Sequence, residues 1–176
     1  MRPPRVLIAG IGNIFLGDDG FGVEVAQRLA NRGFGPGVRV ADFGIRGLDL
    51  AFALSDGYDA AILLDASPRG GQPGTVYVMK LDPTTSRDES VMPAVEPHGM
   101  DPRRVLRLAA SLGGAPRELF LVGCEPTPFD ADDPPPGLTP PVRAALDQAV
   151  EAVAKLVHQI LTPPAQPSVA GSVQET

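Results

Sequence analysis

Gly10-Ile11-Gly12-Asn13, followed closely by Gly17-Asp18-Asp19-Gly20-Phe21-Gly22, is the stretch that decides the fold. Ahead of it, Arg5-Val6-Leu7-Ile8-Ala9 is a short apolar run of the kind found in a buried strand. Behind it, Phe21, Val25, Ala26 and Leu29 recur at helical spacing as far as a stop at Asn31-Arg32-Gly33. Strand, glycine turn and helix open a dinucleotide fold, in which the helix N-terminus receives a pyrophosphate. Here two carboxylates occupy that place. The turn runs on as Ile14-Phe15, so the third fingerprint glycine is also missing. An acidic loop at the carboxyl edge of a parallel sheet suits a cation better than an anion.

The same alternation continues outward. Val38–Asp42, Ala60–Asp65, Thr75–Leu81 and Glu118–Gly123 read as strands. Leu48–Leu54 reads as a short helix. Asp101-Pro102 supplies a cap and first turn for a helix ending at Gly113-Gly114, and Thr139-Pro140 opens a long amphipathic helix reaching Ile160. The pattern predicts an α/β protein: a three-layer α/β/α sandwich on a twisted, mostly parallel five-stranded sheet. Residues 1–162 form one domain in this reading, and the polar, aperiodic stretch 163–176 is a frayed tail. The proline-containing segment 82–99 is long for a loop in a compact domain, which marks it as functional or mobile.

Bulk properties narrow the function. The chain has 176 residues, enough for one domain with a real core, and its 43% apolar and 20% charged content is that of a soluble protein. Its 20 glycines and 20 prolines fall mainly between the periodic segments and act as punctuation. A net charge of −6 argues against a nucleic-acid surface. One cysteine excludes an internal disulfide framework and a cysteine-rich zinc site. No leader pattern and no membrane-spanning run is seen, so a cytoplasmic protein is expected. His-Glu-x-x-His, Gly-x-Ser-x-Gly and phosphate-loop motifs are absent, which removes most standard protease and nucleotide-hydrolase readings.

Sites in such sheets lie outside the carboxyl ends of the strands. Asp19 follows strand one, Asp65 ends strand three, and His98 lies in the loop after strand four. All three loops are expected to leave one edge of a parallel sheet, where two carboxylates and an imidazole make a facial ligand set with open positions, suited to zinc, nickel, iron or manganese. Each has a plainer reading. Asp18 or Asp19 caps the first helix, Asp65 makes a turn with Ser67-Pro68, and His98 is a loop residue without a role. Two adjacent acids exceed the need of one cap, however, and an unpaired charge at the rim of a buried strand is costly. Asp42 ends strand two, where a dinucleotide fold would hold a ribose. Cys124 reads as a small buried side chain, Glu125 as a cleft or turn residue, and His158 as a structural or surface residue on the last helix.

Taken in order, Gly10-Ile11-Gly12-Asn13 with Asp18-Asp19-Gly20-Phe21-Gly22, Asp42-Phe43-Gly44 with Gly47-Leu48-Asp49-Leu50, Leu64-Asp65-Ala66, His98-Gly99 and Gly123-Cys124-Glu125-Pro126 resemble the hydrogenase maturation proteases. The likeness runs from about Val6 to about Ile160. It implies an endopeptidase that trims the C-terminal extension of a nickel–iron hydrogenase large-subunit precursor once nickel has been inserted. It also implies that Asp19, Asp65 and His98 bind the metal, that the nickel arrives with the precursor, and that zinc or cadmium substitutes in the isolated protein. Asp42 corresponds to a further family acid; Asp42 and Asp19 are the candidate catalytic carboxylates. A monomer is expected. Some members carry Glu where Asp19 stands, and Pro97-His98-Gly99 matches only one subgroup, which leaves the hydrogenase served open. Two other classes compete: a non-catalytic nickel-dependent assembly factor, and a dinucleotide-binding module.

Overall fold

The computed structural model describes residues 2–82, 102–128, 133 and 135–162. His98 and the predicted tail from 163 lie outside the described residues. Strand β1 (Val6–Ile11) passes through a short 3-10 turn, Gly17–Gly20, into α1 (Phe21–Ala30). There follow β2 (Val38–Gly44), α2 (Gly47–Leu54), β3 (Ala60–Ala66), β4 (Val76–Leu81), α3 (Pro102–Ser111), β5 (Glu118–Cys124) and α4 (Pro140–Leu161). The five strands form one sheet in the order β2-β1-β3-β5-β4. Among the described residues, no helix is long and apolar enough to cross a membrane.

Two cores account for the three layers. Alternate residues of the sheet (Val6, Ile8, Ile62, Leu64, Val122) meet α1 and the apolar stripe of α4. The opposite pleat (Leu7, Ala9, Ile11, Leu63, Leu119, Leu121) meets Leu50, Ala51 and Leu54 of α2 and Val105, Leu106 and Ala109 of α3. β1 and β3 are buried on both faces, which explains their unbroken apolar sequence.

The glycines of the first loop serve close packing. A side chain at Gly22 would place its Cβ 1.9 Å from the Leu64 carbonyl oxygen and 2.4 Å from that of Ile11. One at Gly10 would meet Ala26 and the Gly22 carbonyl at 2.6 Å. α1 therefore lies directly on β1 and β3. Gly12 adopts φ +126, and a Cβ there would fall 1.8 Å from the Asp19 carbonyl oxygen. The 3-10 turn itself thus fills the place over the start of α1 where a dinucleotide fold would seat its pyrophosphate.

The sheet corrects one premise of the sequence reading. β1, β2, β3 and β5 are parallel, but β4 runs antiparallel to β5, with Val76 opposite Cys124 and Leu81 opposite Leu119. β4 therefore ends at the amino edge, and the segment that contains His98 does not leave the edge that carries Asp19 and Asp65. The physical reason is the connection 67–75, which holds no helix. A parallel return needs a dozen or more residues, usually a helix.

Candidate active site

Asp19 and Asp65 meet at the carboxyl edge between β1 and β3. Asp19 is half-buried in the 3-10 turn, where its Oδ2 accepts a hydrogen bond from the Asn13 backbone N–H at 2.6 Å. Asp65 is the sixth residue of β3, opposite Gly123 of β5. Burial and then the negative charge of Asp19 push the Asp65 carboxyl well above its ordinary range, against a smaller opposing effect of a hydrogen bond at Ala66. The two carboxyls are thus near neighbours that resist ionising together. A cation between them would remove both penalties. Ser67, two residues on, is buried, and its hydroxyl is the one buried side-chain oxygen without a partner among the described residues.

Asp42 stands apart from this pair. It shares a register row with Gly10 and Leu64, so its Cα lies two strand spacings, about 10 Å, from β3. The pleat sends it to the same side as Val38 and Val40, whereas Asp65 follows Ala61 and Leu63 to the other. Asp42 is exposed, with Oδ1 beside Gly44, which itself is tied to the first loop by a 3.0 Å bond from the Gly12 N–H to the Gly44 carbonyl.

The neighbouring acid, Asp18, has a different task. It is fully buried and does not cap its own helix. Its Oδ1 accepts from the Thr139 N–H at 2.7 Å, and its Oδ2 from the Thr127 N–H and the Thr139 hydroxyl, both at 2.8 Å. Thr139 is the N-cap of α4. One acid of the Asp18-Asp19 pair therefore braces the start of α4, and its neighbour faces Asp65. Capping of the first helix, the plainer sequence reading, is not the task of Asp18.

Glu125 is a brace as well. Its carboxylate accepts from the backbone N–H groups of Arg69 (2.8 Å) and Gly70 (3.1 Å) and from the Tyr77 hydroxyl (2.9 Å). Burial alone would raise it, but bonds from Arg69, Tyr77, Gly71 and Gly70 outweigh burial and hold it below the usual range. The bonds fix the connection that begins just past Asp65. A depressed carboxyl contributes stability above its unfolded pKa, near 4.3, and loses it as pH falls through the folded value. Glu125→Gln is therefore expected to cost about 2 kcal/mol at neutral pH, with the deficit shrinking below about pH 4. Denaturant melts of both proteins across that range check it. Cys124 is buried, and burial, then the charges of Asp18 and Glu125, push its thiol up to about 12. It is no nucleophile at neutral pH. His158 is exposed on α4.

The family "Hydrogenase maturation protease" matches residues 23–156. The chain belongs to the hydrogenase maturation proteases. It is 34% identical over 160 residues to the hydrogenase expression/formation protein HoxM of Azotobacter vinelandii, covering 90% of this chain and 75% of the relative. It is 33% identical over 156 residues to the hydrogenase 2 maturation protease of Escherichia coli, covering 85% and 88%. The solved hydrogenase maturating endopeptidase HybD from E. coli superposes with a TM-score of 0.70 at 27% identity, over 88% of this chain and 93% of that one. The maturation protease HycI of Thermococcus kodakarensis gives 0.69 at 25% identity, over 89% and 94%. The protease fold and endopeptidase class expected from the ordered motifs are those of these relatives. Among the described residues of this protease, no three His, Cys, Asp or Glu side chains form a metal-ligand cluster.

Proposed function

We propose that this protease removes the C-terminal extension of a nickel–iron hydrogenase large-subunit precursor, and that it recognises nickel carried by that precursor through Asp19, Asp65 and His98. The observation that carries this reading is the proximity of two carboxyls, one of them raised well above its ordinary range by burial and by the other's charge. Such a pair lowers its free energy by gaining a cation, and oxygen donors with an imidazole accept a borderline divalent ion. α3, which Pro102 opens four residues after His98, ends with α2 at the amino edge, Gly114 lying against Ser55, and packs along α2. Its first turn therefore lies toward the carboxyl edge, which favours His98 as the third donor. In the isolated protein zinc or cadmium fills the same donors in place of nickel.

Nickel bound jointly by precursor and protease holds the scissile bond at the carboxyl edge, a positioning effect. Asp19 and Asp65 serve the metal, and Asp42, exposed at the same carboxyl edge two strands along, takes a proton from the attacking water where the substrate chain runs from β3 toward β2. Asp42→Asn is accordingly expected to lower kcat by roughly 100-fold while leaving precursor binding within about twofold, as single-turnover and binding measurements would show. The function itself is tested by incubating the protein with a nickel-loaded precursor and weighing the precursor's C-terminus by mass spectrometry. A single truncation supports an endopeptidase. An intact precursor that binds the protein would leave the assembly-factor reading in its place.

A further inference from the structure

The rim of this acidic site is apolar, which a cation site does not require. Phe15 is 81% exposed, Ile14 50%, Ile45 60% and Leu48 57%. These side chains do not sit on slack loops. The Phe15 N–H donates to Asn13 Oδ1 at 3.0 Å, and Leu16 N–H to the Asn13 carbonyl at 3.0 Å. On the next loop the Arg46 guanidinium donates to the carbonyls of Asp42 and Phe43, and the two loops are joined by the Gly12–Gly44 bond. Asn13 also anchors Asp19. Four large apolar groups are therefore held out in water on hydrogen-bonded backbone, two of them in the turn whose Asn13 also anchors Asp19. Single exposed apolar residues are ordinary, but a fixed group at the mouth of a site marks a contact surface.

We infer that Ile14, Phe15, Ile45 and Leu48 form the docking surface for the substrate polypeptide, taking an apolar stretch of the precursor adjoining the scissile bond. The inference rests on the precursor-processing reading of the site and extends it to how the protein chain, as distinct from its nickel, is held. An endopeptidase must lay its substrate chain across the edge that bears its site, and Phe15 is on the same loop as Asp19. With a net charge of −6 the protease does not attract an acidic chain, and Arg46, the cation between Ile45 and Leu48, is engaged by carbonyls and lies 3.9 Å from Asp49. The last described helix leads away from the patch. α4 starts beside Asp18 at the carboxyl edge and its 22 residues carry the chain about 33 Å toward the other.

The test measures binding of the full chain to the purified large-subunit precursor, with and without nickel, alongside thermal melts. Phe15→Ser/Leu48→Ser is expected to weaken binding by about tenfold or more in both metal states, with the melting temperature unchanged. Asp65→Asn is expected to lose only the nickel-dependent increment. Wild-type affinity in the double variant overturns the inference. So does a melting temperature that falls by several degrees with binding unchanged, which would mean that the chain's own residues cover the patch, and so does a wild-type protein that binds neither form of the precursor. If the double variant fails to bind while Asp65→Asn binds the nickel-loaded precursor normally, the docking surface stands and the nickel bridge falls.

Discussion

Asp65→Asn is expected to abolish processing and at the same time to make the protein harder to unfold. The two effects have one cause. Asp65 is half-buried beside Asp19, and desolvation and then the Asp19 charge raise its carboxyl well above the ordinary range. A carboxyl raised in the folded state contributes fully below its unfolded pKa, near 3.9, and its contribution is lost as pH climbs through the folded value. At neutral pH the wild type therefore carries a penalty that asparagine removes. Melts of the metal-free proteins should show the variant more stable at pH 7, with the advantage vanishing toward pH 4. The same substitution deletes a donor that the nickel reading requires, and loss of the bridge should cut cleavage by at least about 1,000-fold. A variant that is less stable at pH 7, or that still cuts, would show that Asp65 is a structural turn residue.

Asp18→Ala should have the opposite signature: large loss of stability, with the site affected only through the fold. The carboxylate satisfies two backbone N–H groups and one hydroxyl in a buried setting. Removing it leaves the Thr127 and Thr139 donors without their acceptor and frees the start of α4. A cost of about 3–5 kcal/mol is expected, or a melting temperature lower by roughly 10 °C for a domain of this size. Asp18→Asn keeps one acceptor and should fall between the two. Denaturation curves of the three proteins check the order. If Asp18→Ala melts like wild type but no longer binds metal, the assignment of bracing to Asp18 and ligation to Asp19 is reversed.

Local pattern carried the helices and strands well. The apolar runs of β1 and β3, the Pro102 and Pro140 starts and the Asn31-Arg32-Gly33 stop each depend on neighbours in sequence, and the observed bounds lie within two or three residues of those read from the chain. What failed was long-range. The direction of β4 depends on β5 inserting between β3 and β4, and only the absence of a helix in 67–75 hinted at it. At the site, the placing of Asp19 and Asp65 at one sheet edge followed from reading β1 and β3 as parallel strands, and their adjacency from the strand order that the structure shows. The separate duty of Asp18 did not, because its partners Thr127 and Thr139 lie more than a hundred residues away. Glu125 was legible as a carboxyl-edge residue but not as the acceptor that organises Arg69, Gly70 and Tyr77. Backbone donors leave no mark in composition.

In the proposed function, nickel in the precursor, and not the peptide sequence alone, brings the scissile bond to Asp19 and Asp65. This is tested most directly by giving the protease equal amounts of nickel-loaded and nickel-free precursor and following the C-terminal mass of each with time. Truncation of the loaded form only is expected, with the nickel-free form intact even at excess protease. Equal truncation of both forms would contradict it.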